Sequence, residues 1–185
     1  MRIISGKWRG QNLKAPPGIR PTTDRVKEAI FSILGDAENL DVLDLFAGSG
    51  ALGIEALSRG ARSAVFVDIS RVSLRCIQAN LAGKNIRNIR LLRRDALKFL
   101  RSPSPPFHWI FCDPPYEKGN DPMLLTRFVG SSVMNHTSLL ILESSRFHSL
   151  VLPPELEVVD QRKFGDTVIH LIRRADGKSS EVRRA

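Results

Sequence analysis

The stretch from Val42 to Gly60 most narrows what this chain can fold into. Val42 to Phe46 is a short apolar run that reads as a buried strand. Gly48-Ser49-Gly50-Ala51-Leu52-Gly53 follows at once, and Ala51 to Ser58 reads as a helix that Gly60 ends. The spacing G-x-G-x-x-G says little alone. Between a buried strand and an apolar helix it predicts a ligand-binding turn, with Gly48 and Gly50 letting the backbone pass close to a ligand and Gly53 allowing close helix–sheet contact. The next apolar run, Ala64 to Val67, ends on Asp68, an acceptor for ribose hydroxyls in such a site.

The rest of the chain keeps the same rhythm. Further strands are predicted at Ile89–Leu92, Trp109–Cys112 and Leu139–Glu143. Helices are predicted from Ser70, as cap, through Leu81, at Asp95–Leu100 and at Leu124–Val133. The Ser70–Leu81 helix draws its apolar surface from Val72, Cys76, Ala79 and Leu81. Alternating strands and helices imply a largely parallel sheet covered on both faces. The rhythm then changes. Leu156–Phe164 and Thr167–Arg173 are separated by Gly165-Asp166, an antiparallel hairpin signal. Before the repeating unit, Thr22 or Thr23 caps a helix over Asp24–Leu34 that Gly35 ends. Residues 1–21 read as a β-hairpin extension, with strands at Arg2–Ser5 and Gln11–Ala15. Residues 22–174 form one α/β domain, and residues 175–185 a basic, flexible tail.

The acids around the turn speak to the ligand. Asp44 stands four residues before Gly48, at the mouth of the same crevice. A carboxylate there disfavours the diphosphate of a nicotinamide cofactor and suits the ammonium of a methionine moiety. Asp95, after the third strand, can reach an adenine amino group or simply cap a helix. These acids favour S-adenosylmethionine over NAD. The expected cofactor site is Asp44, Phe46, Ala47, Gly48, Ser49 and Gly50 on the first turn, Asp68 and Ile69 on the second, and Asp95 and Ala96 on the third.

A second motif lies about 60 residues on. Asp113-Pro114-Pro115-Tyr116 follows the buried run Trp109-Ile110-Phe111-Cys112, at the sheet end where open α/β folds hold ligands. The prolines fix their own φ and restrict the residues before them. The Asp113 carboxylate and a carbonyl of the proline turn, at Pro114, can accept the two hydrogens of an exocyclic amine and so orient its nitrogen. Tyr116 can stack on a flipped base. Cys112 lies on the opposite strand face from Asp113, which argues against a cysteine nucleophile. The four histidines show no ligand spacing and read mostly as surface or edge residues. No metal is expected.

Charge supplies the partner. Lys and Arg number 28 against 19 Asp and Glu, a net charge of +9, and residues 1–35 hold seven basic side chains against two acids. Such an excess steers phosphate backbones to a surface without reading bases. Arg2, Lys7, Arg9, Arg20, Arg25 and Lys27 are the expected nucleic-acid contacts. Cys76 and Cys112 read as buried free thiols, and the start of the chain lacks the apolar stretch of a signal peptide. A soluble, cytoplasmic monomer without membrane contact is expected.

Four stretches together resemble the bacterial methyltransferases that modify the exocyclic N2 of a guanine in 16S ribosomal RNA. They are Arg2-Ile3-Ile4-Ser5-Gly6 with Arg9-Gly10, Arg20-Pro21-Thr22-Thr23-Asp24-Arg25-Val26-Lys27-Glu28, Asp44 through Ala61, and Asp113-Pro114-Pro115-Tyr116. The resemblance spans nearly the whole chain. It implies a Rossmann-like class I S-adenosylmethionine-dependent methyltransferase with a mostly parallel seven-stranded sheet. It also implies cofactor contacts from Gly48, Gly50, Asp68 and Asp95, base contacts from Asp113 and Tyr116, and a substrate of 16S RNA within an assembling or assembled small subunit. Lys27 stands where the family commonly has Arg. A DNA adenine-N6 or cytosine-N4 methyltransferase, and a noncatalytic ribosome assembly factor, are the competing expectations.

Overall fold

The computed structural model describes residues 1–18, 22–115, 122–147 and 149–175. Helix α1 (Asp24–Leu34) starts where Thr23 accepts from the Val26 N–H at 3.3 Å and stops at Gly35, whose φ is 75°. Then follow β1 (Asp41–Leu45), α2 (Ala51–Ser58), β2 (Ser63–Asp68), α3 (Arg71–Leu81), β3 (Ile89–Arg93) and α4 (Ala96–Leu100). The chain continues with β4 (Trp109–Cys112), α5 (Pro122–Val129), β5 (Leu139–Ser145), β6 (Leu156–Phe164) and β7 (Thr167–Arg174).

Seven strands form one sheet in the order β3-β2-β1-β4-β5-β7-β6. The first five run parallel; β7 is antiparallel to β5 and β6 is antiparallel to β7. The side chains of β1 and β4 alternate between two cores. Val42, Trp109 and Phe111 join the core built with α1, α2 and α3, and Leu43, Leu45, Ile110 and Cys112 join the one built with α4 and α5. Asp44 and Asp113 continue the first alternation, so both belong to the α2 side of the sheet.

Four expectations are corrected here. Helix α3 buries Ser73, Ile77, Asn80 and Leu81; of the expected apolar positions Leu81 is buried and Cys76 half-buried, but Val72 and Ala79 face solvent, because the polar Ser73 and Asn80 share the packing face. The amino-terminal hairpin has a single antiparallel bridge, Arg2 to Asn12. Across it the Ile3 N–H donates to the Gln11 carbonyl, the Gly10 N–H to the Ile3 carbonyl and the Leu13 N–H to the Met1 carbonyl, while Ile4 and Ser5 donate to Glu55 and Lys7 to the Ser58 carbonyl. At Gly6 a Cβ would lie 1.9 Å from that carbonyl, so only glycine fits. His170, on β7, is buried with its Nε2 2.8 Å from the Ser144 hydroxyl, not at the surface, and Cys76 is only half-buried. Among the described residues no helix is long and apolar enough to cross a membrane.

Candidate active site

A cleft of about 850 Å³ opens at the carboxyl ends of the parallel strands. Its floor is the turn between β1 and α2. Phe46, Gly48 and Gly50 there all have positive φ, at 57°, 53° and 74°. That conformation is rare for a residue with a Cβ, so Phe46 carries strain that its packing against the α4–α5 core offsets. At Gly53 a Cβ would lie 2.4 Å from the Phe66 ring and 3.0 Å from the Asp44 carboxylate. The third glycine lets α2 lie directly on β2.

Asp68 has a role that spacing alone did not show. Its two carboxylate oxygens accept from the Gly48 N–H at 2.8 Å and the Ser70 N–H at 2.7 Å. It thereby ties the first turn to the end of β2. Each oxygen keeps further acceptor capacity for hydroxyls in the cleft. Asp95 also fills two positions. It caps α4, accepting from the Lys98 N–H at 2.9 Å, and it lines the cleft beside Ala96. Ile69 lines the same wall with its side chain largely exposed, an apolar surface for a planar ring.

Asp44 is 4% exposed and accepts from the Gly53 N–H at 3.0 Å. Burial pushes its carboxyl up to about 8, the Gly53 hydrogen bond opposes the rise, and nearby Asp68 adds to it. Asp113 stands at the end of β4, on the same side of the sheet. Burial, then Glu143, then Asp44 push its carboxyl well above the usual carboxylate range. Pro114 is buried and Pro115 exposed; both line the cleft. Tyr116 lies outside the described residues. Burial raises the Cys112 thiol well above its ordinary value, which leaves it inert as a nucleophile.

The cleft thus gathers Asp44, Phe46, Ala47, Gly48, Ser49, Asp68, Ile69, Asp95, Ala96, Asp113 and Pro114. Gly50 sits just behind them as the N-cap of α2. The structure adds Glu143 from the end of β5 and Lys163, Phe164 and Thr167 from the β6–β7 hairpin. Glu143 had a signal in the sequence, since Leu140-Ile141-Leu142-Glu143 repeats the pattern of an apolar strand ending on an acid. The hairpin residues had none, because only the sheet order brings β6 and β7 beside β5.

The basic residues separate. Arg25 lines the cleft, and Arg2 is exposed beside Asp24 at the start of α1. Lys7 and Arg9 are exposed, but the Lys7 N–H bonds the last residue of α2, the opposite end of that helix from Gly50. Lys27 is a correction: it does not face RNA. It is 0% exposed, donates to the Arg2 carbonyl and lies 3.7 Å from both Glu55 and Asp24. Burial lowers its pKa, against the raising effect of those two acids. Its place on the Val26–Lys27–Ile30–Phe31 face turns it inward. Arg20 lies outside the described residues.

A glycine turn on the first strand, acids at the ends of the next ones and an antiparallel hairpin closing a parallel sheet define a class I methyltransferase. The family model described as "Conserved hypothetical protein 95" matches residues 1–173, and the chain belongs to that family. The chain is 35% identical over 184 residues to "Ribosomal RNA small subunit methyltransferase D" of Escherichia coli K12, covering 97% of this chain and 93% of that protein. It is 30% identical over 177 residues to the protein of the same name in Haemophilus influenzae, covering 89% of each. Among solved structures, a protein described as a candidate methyltransferase of Escherichia coli, yhhF, superposes with a TM-score of 0.83 at 34% identity, covering 94% of this chain and 97% of that one. Fold, cleft and family agree on a methyltransferase that takes its methyl group from S-adenosylmethionine.

Proposed function

We propose that the protein methylates the exocyclic N2 of one guanine in 16S ribosomal RNA, within an assembling or assembled small subunit. The observation that carries this reading is Asp113: an acid rigidly held before two prolines, at the carboxyl end of β4, in the same cleft as the glycine turn. S-adenosylmethionine supplies a methyl group on positively charged sulfur. Asp68 and Asp95 bind its nucleoside, and Asp44 meets its cationic end. A carboxyl pushed to about 8 ionises when a cation comes to rest beside it, so Asp44 suits a ligand that brings its own positive charge.

On the other side of the cleft, Asp113 and the Pro114 carbonyl accept the two amine hydrogens, and Tyr116 stacks on the flipped guanine. This fixes the nitrogen before reaction, the positional part of catalysis. An amine that gains a methyl group must also shed a proton. Asp113, whose carboxyl is raised by burial, Glu143 and Asp44, is the acid placed against that amine. Arg2 and Arg25 contact phosphates at the cleft edge. The same reading makes the enzyme a cytoplasmic monomer.

Mass mapping of methylated guanines in 16S RNA, from cells with and without the gene, tests the proposal. One N2-methylguanine is expected to disappear with the gene and to return when the purified protein and cofactor are added to small subunits. An unchanged guanine map, or methyl transfer to duplex DNA in preference to ribosomal RNA, overturns it.

A further inference from the structure

Strand β5 does not end at the cleft. Beyond Glu143 it continues through Ser145, which pairs with Thr167 of β7, and the chain then turns through Arg146 and Phe147. Phe147 is 68% exposed, the largest value among the described large apolar residues outside the core. It does not line the cleft, so the cofactor does not account for it. Nor does the ring lack support. The Arg146 guanidinium lies 4.7 Å from its centroid, and the Phe147 N–H donates to the Ser145 hydroxyl at 3.3 Å. Arg146 is itself pinned, its backbone N–H to the Asp166 carbonyl at 2.9 Å and its Nε to the Asp166 carboxylate at 3.0 Å. An aromatic ring is thus displayed on a braced turn, backed by a cation and otherwise open to water.

The surroundings specify the partner. Four residues of extended chain span at most about 14 Å, so Phe147 lies within that reach of Glu143, and Glu143 shares the cleft with Asp113. From the neighbouring hairpin, the exposed Lys163 reaches the cleft beside Phe164. An open aromatic face backed by a guanidinium, on a chain of net charge +9 with Lys163 exposed at the nearby cleft, matches single-stranded nucleic acid, whose bases stack on such rings while phosphates meet cations. A membrane or an apolar protein partner would ask for a broader apolar patch than one ring set among charges.

We infer that Phe147, with Arg146 behind it, is a stacking platform for an unpaired RNA base next to the methylated nucleotide. The inference rests on the ribosomal RNA reading for its substrate. It adds a point of capture on the turn that follows β5. Holding a neighbouring base keeps the strand splayed while the target base enters.

The test compares the full-length parent with Phe147→Ala, Phe147→Tyr and Phe147→Leu in two assays. One is methyl transfer to small subunits at saturating cofactor; the other is affinity for a 12-nucleotide single-stranded oligouridine. Phe147→Ala is expected to lower both kcat/KM and oligouridine affinity by about tenfold, within the range of one lost base stack. Phe147→Tyr should stay within about threefold of the parent, and Phe147→Leu should not rescue. Arg146→Ala should flatten the salt dependence of oligouridine binding by about one phosphate contact. Affinity for S-adenosylmethionine should not change in any variant. Parental values for Phe147→Ala in both assays, or equal rescue by Leu and Tyr, overturn the platform. So does a loss on subunits with no loss on oligouridine, which marks a ribosomal protein as the partner. If the parent transfers no methyl group to ribosomal RNA, the proposed function falls, and the oligouridine affinities still decide the platform.

Discussion

Two carboxylates near α2 are buried almost equally and treated in opposite ways. Glu55, 0% exposed, accepts from the Ile4 N–H at 2.8 Å, the Ser5 N–H at 2.9 Å and the Arg59 Nε at 3.0 Å, and has Lys27 3.7 Å away. Asp44, 4% exposed, has one recorded donor, the Gly53 N–H, and carries a carboxyl pushed up to about 8. A buried charge is tolerable when donors and counter-ions surround it and costly otherwise. Glu55 therefore reads as architecture, joining the amino-terminal segment, α1 and α2. Asp44 lines the cleft and is held short of a cation that a ligand can bring. Asp113 follows Asp44, with burial and two neighbouring acids raising it and no cation among the causes of its shift. The difference separates an acid that holds the fold from acids that wait for a substrate.

The largest expected effect of breaking this contrast is on stability. Glu55→Ala strands Lys27 in the core and removes the acceptor of two backbone donors. It should cost about 3–5 kcal/mol, the scale of a buried pair broken from one side. Urea unfolding measures it, and a loss below about 1 kcal/mol would mean that the network is ornamental.

Asp44→Asn should do the reverse to stability and harm binding. The sign follows from linkage. A carboxyl raised from 3.8 to about 8 keeps its proton in the folded state over that interval, so the empty protein loses stability as pH rises through it. Asn removes that loss, and the variant should be more stable than the parent at pH 9 and little different at pH 4. Its affinity for S-adenosylmethionine should fall by about tenfold at pH 8.5, on the scale of one charge-assisted hydrogen bond. The deficit should be smaller at pH 6, where the parent must give up a proton on binding. Calorimetry at the two pH values checks this, and equal deficits would break the assignment.

The smallest effect sharpens the same lesson on neighbouring cations. Arg25→Ala should weaken RNA binding a few-fold and lower its salt slope by roughly one, leaving stability intact. Lys27→Ala should do the opposite. A salt titration in which Lys27→Ala, still folded, loses more slope than Arg25→Ala would return Lys27 to the RNA face.

Much of this was legible locally. Thr23 and Ser70 cap the helices they were expected to cap, and the limits of α1, α2, β4 and β6 agree with their apolar runs and glycines, because caps and periodicity act within a few residues. The glycine turn and Asp113 were legible for the same reason. Lys27 was not. The partners that make its burial tolerable include Glu55, on a different helix, and nothing adjacent to Lys27 announces it. Asp68 was legible as a cleft acid but not as the brace of the turn, since a brace depends on where two strands end in space. The β6–β7 hairpin residues come near the cleft only through the antiparallel pairing of β5 with β7, a long-range feature that local sequence does not encode.

The central claim is that Asp113 orients the amine that is methylated. Single-turnover methyl transfer to small subunits at saturating S-adenosylmethionine, comparing the parent with Asp113→Ala, tests it most directly. The account predicts a fall of at least about 10²-fold with cofactor affinity unchanged, as orientation and electrostatic support are lost together. A folded Asp113→Ala enzyme that transfers methyl at the parental rate would contradict it.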